Sequence, residues 1–243
     1  MKFIIAIADR KVEIDAMYES TREYCKNYLS EGTPDVTIWV TEEEIAYERE
    51  KTKREAELEG HPFRDFSNQY YETLAVYRKL VVELLAYDTM LMHGSVIAVD
   101  GIGYLFTAKS GTGKSTHTRL WREYFGDRAV MINDDKPLLR VTEEGVYAYG
   151  TPWDGKHHLS TNTVVPLKAI CILERSETNQ IQKITPIKAF PMLMQQCYRP
   201  KEADKLQATL TLIEKIIKTV GLYRLGCNMD PEAVKVSYEG MNQ

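Results

Sequence analysis

Thr107-Ala108-Lys109-Ser110-Gly111-Thr112-Gly113-Lys114-Ser115-Thr116 decides how this chain folds. The apolar run Tyr104-Leu105-Phe106 precedes it and a helix-like run over 116–125 follows. Strand, glycine-rich loop and helix in that order form a phosphate-binding loop. Gly111 and Gly113 let the backbone curl, so that successive N–H groups from Ser110 through Thr116 turn toward phosphate oxygens. The helix start adds free N–H groups and a positive dipole end. Lys114 reaches the β- and γ-phosphates, and the Ser115 hydroxyl is a ligand for Mg²⁺. The usual pattern G-x-x-x-x-G-K-[ST] begins with glycine, whereas this chain has Ala108. Alanine serves there only if its φ is negative.

The 243 residues give room for one large domain, or one domain with a small appendage. A net charge of −4 implies no polyanion-binding face, so no nucleic-acid partner is expected. No apolar run approaches the roughly 18 residues of a membrane span. The apolar opening over 2–8 is too short for a secretory signal, and Asp9-Arg10-Lys11 follow at once. It reads as a first strand. Cys25, Cys171, Cys197 and Cys227 show no C-x-x-C spacing, which points to reduced thiols in a cytoplasmic protein.

Along the chain, 2–8 reads as a strand and 12–29 as an imperfect helical stripe on Val12, Ile14, Met17, Tyr18, Tyr24 and Tyr28. A turn at 32–35 leads to a strand over 36–40. Thr41-Glu42-Glu43-Glu44 has the form of a capping box opening a charged, solvated helix to Glu59. After a polar linker, 69–88 reads as one helix with a broad apolar face. Residues 1–88 thus form a small N-terminal α/β subdomain of order β-α-β-α-α, and 89–243 a second domain.

In that second domain, 90–99 reads as a strand, Asp100-Gly101 as a tight hairpin turn and 102–107 as the partner strand. The loop, its helix and a strand over 128–133 make a βαβ unit with parallel strands. Asp134 and Asp135 then fall at the carboxyl edge of the sheet, where ligands of open α/β sheets bind, close to Ser115. A hairpin over 138–149, a strand over 167–173, helices over 189–197 and 206–220, a strand over 222–225 and a last helix opening at Pro231 complete the chain.

Asp-Asp pairs are common in surface turns, but this one follows an apolar strand at a set distance from the loop. One carboxylate suits a metal and the other suits accepting a hydroxyl proton. Two adjacent carboxylates need a cation between them. In the loop 150–158, Trp153 offers stacking or packing, and Lys156, His157 and His158 offer contacts to an acceptor or a phosphate. Arg119, Trp121 and Arg122 read as surface and packing residues. Arg199 is either a surface residue or a stabiliser of a transferring phosphoryl group.

The combination His93-Gly94-Ser95, Ser110-Gly111-Thr112-Gly113-Lys114-Ser115 and Asp134-Asp135 resembles the HPr kinase and phosphoenolpyruvate carboxykinase superfamily. The short bacterial HPr-kinase-like proteins are the nearest group. The resemblance implies an α/β fold, a P-loop kinase domain behind the N-terminal subdomain. It implies ATP and Mg²⁺ as cofactors, with Ser110–Thr116 on the nucleotide phosphates and Ser115 and Asp135 on the metal. By the same resemblance Asp134 is the proton acceptor, Lys114 a phosphate contact and His93 a support for the acceptor side. The Glu-Ile-Arg-Gly segment of HPr kinases is replaced by Gly150-Thr151-Pro152-Trp153, which leaves the second metal ligand and the HPr substrate open. Carboxykinase chemistry is not expected, since the resemblance sets that reaction in longer chains with additional basic residues. The implied activity is transfer of a γ-phosphoryl group to a hydroxyl, on a serine of a peptide or protein. A small-molecule acceptor and a nucleotide-sensing regulator are the alternatives. The resemblance leaves room for a homo-oligomer.

Overall fold

The computed structural model describes residues 1–155 and 157–243. The chain divides into two compact units, Met1–Glu83 and Leu84–Gln243.

In the first unit, β1 (Lys2–Ile7) and β2 (Arg10–Asp15) form an antiparallel hairpin with Ile7 opposite Arg10. Ala8 and Asp9 fill its two-residue turn with φ of 49° and 57°. Such a turn demands positive φ at both positions, and Ala-Asp lacks the Asn-Gly or Asp-Gly signature that would announce it. This corrects the helical reading of 12–29. Val12 and Ile14 are buried at a spacing of two, facing one side of a sheet, and helix is confined to α1 (Glu19–Tyr24) and a 3₁₀ turn over Lys26–Tyr28. After β3 (Leu29–Ser30) and β4 (Val36–Trp39), the strand order is β3-β1-β2-β4, with β4 parallel to β2.

The helix α2 (Glu42–Glu59) opens on the expected capping box. Thr41 Oγ1 accepts from Glu44 N at 3.3 Å, and Glu44 Oε2 accepts from Thr41 N at 3.0 Å. Gly60 closes it in the left-handed conformation. Its face is solvated apart from positions such as Ile45 and Glu48, which are buried, and Glu48 pairs with Arg78 of α3 (Asn68–Glu83).

The start of α1 has no side-chain cap of its own, and Glu72 of α3 supplies one. This fully buried carboxylate accepts from Met17 N at 2.5 Å, from Tyr18 N at 3.2 Å and from the Thr21 hydroxyl. The helix read over 69–88 stops at Glu83. A 3₁₀ turn over Leu84–Tyr87 follows, and its Leu85 belongs to the core of the second unit.

The second unit is built on one sheet of order β5-β9-β10-β11-β7-β6-β8, with β13 beside β11 and β12 beside β13. Its strands are β5 (Thr89–Leu91), β6 (Ser95–Val99), β7 (Ile102–Thr107), β8 (Ala129–Asn133), β9 (Leu138–Val141), β10 (Val146–Tyr149), β11 (Val164–Arg175), β12 (Gln180–Lys183) and β13 (Gly221–Cys227). The helices are α4 (Lys114–Phe125), α5 (Pro186–Gln196), α6 (Ala203–Thr219) and α7 (Glu232–Met241).

Alternation along the strands separates two cores. Val96, Ala98, Leu105, Ile170 and Ile172 pack with Leu193 of α5 and Ile213 and Ile216 of α6. Ile97, Val99, Tyr104, Phe106, Cys171 and Leu173 pack with Leu120, Trp121 and Phe125 of α4 and Val234 of α7. Helices therefore cover both faces of the sheet. The strand read over 90–99 is two strands, because the backbone leaves the sheet at His93 and Gly94 to bond Gln196 O and Asp135 O.

Replacing Glu72 by Gln puts an amide N–H against backbone donors. We expect Glu72→Gln to cost about 2 kcal/mol in urea denaturation of the full chain. An unchanged midpoint would show that Glu72 does not cap α1.

Candidate functional site

The strand directions bring the singled-out residues together. β7 runs parallel to β11, and β11 to β13. β6 runs antiparallel to both β7 and β8, so those two are parallel with β6 between them. Their carboxyl ends share one edge, where β7 delivers the glycine loop and β8 delivers Asp134 and Asp135. At that edge β6 begins, and it inserts Ser95 and the preceding His93 between the two.

The loop is wound as its composition requires. Gly111 has φ of 72° and Gly113 of 121°, with open space where a side chain would stand at either. Ala108 is fully buried and lies outside the left-handed region, which satisfies the condition on alanine there. Helix α4 starts at Lys114 with Gly113 as an uncapped N-cap. Two cations rest on loop carbonyls. Lys114 Nζ donates to Ala108 O at 3.2 Å, and Arg175 Nη2, from the end of β11, donates to Gly111 O at 2.5 Å. Sequence reading passed over Arg175, since only the register of β11 alongside β7 carries it there. Burial lowers the pKa of Lys114, and the charges of Asp135 and Asp134 pull it back up.

The two aspartates are unequal. Asp135 Oδ1 accepts from His93 Nε2 at 2.8 Å, so that nitrogen carries the proton, and Oδ2 pairs with Lys136. Burial would raise the Asp135 pKa, but the His93 hydrogen bond and the Lys136 charge outweigh it and hold the carboxyl well below the usual range. The expected neutralising cation is thus supplied in part by the chain itself. Asp134 is 5% exposed. Ser95 Oγ lies 2.9 Å from both its carbonyl oxygen and Oδ1, so one hydroxyl proton serves either. Burial raises the Asp134 pKa, the Asp135 charge adds to that, and the Ser95 and Ser115 hydroxyls offset part of it. The Ser115 hydroxyl therefore lies against Asp134.

Asn133, fully buried, fixes this turn. Its Oδ1 accepts from Asp135 N at 2.9 Å and Lys136 N at 2.6 Å. Its Nδ2 is directed at Thr151 Oγ1 at 2.9 Å, Thr151 O at 3.2 Å and Trp153 O at 3.3 Å. The loop that follows β10 is thereby tied to the acidic pair. Gly150 is required there, because a Cβ would lie 1.9 Å from Thr161 O.

Trp153 is a packing residue, 2% exposed. His158 is exposed and spends Nδ1 on Asp154 at 3.0 Å, whereas His157 is exposed in the neighbourhood of Asp134. Lys156 lies outside the described residues. Trp121 packs on Tyr104, Phe106 and Phe125, Arg119 pairs with Glu123, and Arg199 is exposed beyond the Met92–Cys197 bridge. Among the described residues, no group of three or more His, Cys, Asp or Glu is placed to hold a metal, and no helix is long and apolar enough to cross a membrane.

Fold and site together define a mixed α/β protein with a glycine loop at a helix start, facing an acidic pair at the carboxyl edge of its sheet. The chain belongs to the ScmC family, whose model, described as SynChlorMet cassette protein ScmC, matches residues 64–229. No curated protein matches it. Among solved structures it is similar to the Hpr(Ser) kinase/phosphatase from Coxiella burnetii, with 12% identity over 50% of this chain and 87% of that one and a TM-score of 0.30. An overlay that loose says nothing about chemistry.

Asn133→Asp keeps the shape of the side chain but turns an acceptor toward two carbonyls and adds charge beside the pair. The expected loss is about 3 kcal/mol in urea denaturation. A loss below about 1 kcal/mol would mean that the amide does not hold the turn.

Proposed function

We propose that this chain is a kinase. It moves the γ-phosphoryl group of Mg²⁺-bound ATP onto a hydroxyl, and a serine of a peptide or protein is the acceptor class. What carries the reading is the convergence of Lys114, Ser115 and Asp134 where β7 and β8 end. The glycine loop presents first-turn amides with no side chain over them, which suits a phosphate. The Ser115 hydroxyl and the carboxylates of the pair are hard oxygen donors, which suits Mg²⁺. Bound there, Mg²⁺ would neutralise charge on the phosphate oxygens.

The chain's own residues divide the rest of the work. Lys114 leaves the Ala108 carbonyl to donate to the phosphates. Asp135 is kept ionised by His93 and retains lone pairs for the metal beside Ser115. His93 sets the orientation of Asp135. Asp134 has a raised pKa and one oxygen not committed to Ser95, so it accepts the proton of the attacking hydroxyl. The acceptor oxygen bonds to the γ-phosphorus, and the bond from that phosphorus to the bridging oxygen breaks. ADP keeps the electron pair, and Asp134 takes the hydroxyl proton. Positioning and charge neutralisation account for the rate. A small-molecule acceptor would call for a closed pocket on Trp153, Lys156 and His157; of the two described residues, Trp153 is buried and His157 is exposed.

Calorimetric titration with a non-hydrolysable ATP analogue should show Mg²⁺-dependent binding, weakened at least about tenfold in Lys114→Ala. Asp134→Asn should bind the analogue nearly as the wild type does, while turnover of labelled ATP falls about 10³-fold. Turnover retained in Asp134→Asn removes the base assignment. Binding without any transfer would mark a nucleotide sensor instead.

A further inference from the structure

Gly155 is a glycine whose backbone freedom is not used, since its φ lies outside the left-handed range. What it supplies is room. A Cβ at 155 would lie 3.0 Å from Asp134 Oδ2 and 3.5 Å from Asp134 Cβ and Cγ, its three nearest neighbours. Any side chain there would therefore press on the carboxylate from the side that Ser95 leaves open.

The described residues around it are hydrogen-bonded. Asp154 accepts from His158 Nδ1 at 3.0 Å and from Ser160 N at 3.1 Å, and Trp153 O is held by Asn133. Asp134 is nearly buried, so the approach to Oδ2 is narrow. A hydroxyl that is to give up its proton there must come within about 3 Å of that oxygen. A primary alcohol on an unbranched carbon meets this constraint with the least bulk. A branched carbinol adds a methyl group where the Gly155 backbone already stands close.

We propose that Gly155 sets the clearance over Asp134 through which the acceptor hydroxyl arrives, and so restricts acceptors to primary, seryl-type alcohols. The proposal rests on the kinase reading above. Gly155 itself takes no part in the transfer, and its role is to decide which acceptor oxygens reach Asp134.

Gly155→Ala tests this, because alanine fits the backbone at 155 and adds only the obstructing carbon. The full-length protein, loaded with a non-hydrolysable ATP analogue and Mg²⁺, is titrated with N-acetylserinamide and then N-acetylthreoninamide. Amide NMR shifts of Asp134 and Gly155 report binding, and turnover of labelled ATP is followed with the same two alcohols. In the wild type, serinamide should shift both signals and be used at least about tenfold better than threoninamide. In Gly155→Ala, analogue affinity should stay within about twofold and the melting temperature should hold. The serinamide shifts should vanish, and its turnover should fall about 100-fold.

Turnover or shifts retained in Gly155→Ala, or equal use of the two alcohols by the wild type, overturns the proposal. So does a parallel loss of analogue affinity and melting temperature in the variant, which would make Gly155 a packing residue. If the wild type binds the analogue but neither shifts with serinamide nor uses it, the clearance idea falls while nucleotide binding stands. If it does not bind the analogue, the kinase reading falls and takes this proposal with it.

Discussion

The candidate site depends on β6 lying antiparallel between two parallel strands. Without it, the glycine loop after β7 and the aspartates after β8 would still share an edge, but nothing would stand between them. Because β6 starts where its neighbours end, its first residues enter that gap from the opposite direction. Ser95 pairs across with Phe106 of β7, and Val96 with Asn133 of β8. That register puts the Ser95 hydroxyl on Asp134. The residues just before it, His93 and Gly94, bond Asp135 through a side chain and a backbone N–H respectively. One strand thus orients both carboxylates by different atoms.

The same arrangement makes two chemically identical residues unlike. Asp135 gives one oxygen to a histidine and the other to a lysine, so its charge is compensated. Among the described residues Asp134 has hydroxyls as its hydrogen-bond donors and is the less exposed of the two, and a neutral hydroxyl offsets burial less than a cation does. The pair is therefore split into a carboxylate held ionised and one drawn toward its protonated form. Such a division separates a permanent charge from a proton acceptor. It rests on Asn133, which accepts from the two N–H groups after Asp134 and so forces the turn that aims the neighbouring side chains apart.

Much of this was legible in the sequence, and the exceptions have physical causes. The glycine loop, the capping box at Thr41 and the Asp100-Gly101 turn were readable because each is a local rule, satisfied by residues within a few positions. The β1–β2 hairpin was missed because Ala8-Asp9 adopts a conformation that its residue types disfavour, so tertiary pairing overrode propensity. The break at His93-Gly94 was missed because the bonds that pull the backbone out of the sheet come from 41 and 103 positions further along, at Asp135 and Gln196. Arg175 was invisible for a like reason: its place beside Gly111 follows from strand register, which no local pattern states.

Glycine shows where such reading ends. Gly111 and Gly113 are needed for their dihedral angles, and two glycines in a loop ahead of a helix announce that. Gly150 is needed because the carbonyl of Thr161 passes almost where its side chain would be. Gly155 needs no positive φ, and the atoms nearest a Cβ there would be those of the Asp134 side chain. In the sequence these glycines are the same letter within one stretch of the chain. Dihedral requirements leave a local trace, whereas close approach depends on what the fold brings from elsewhere. The glycine nearest the proposed chemistry is therefore the one whose purpose the sequence conceals, because its neighbour Asp134 reaches it only through the loop that Asn133 ties down.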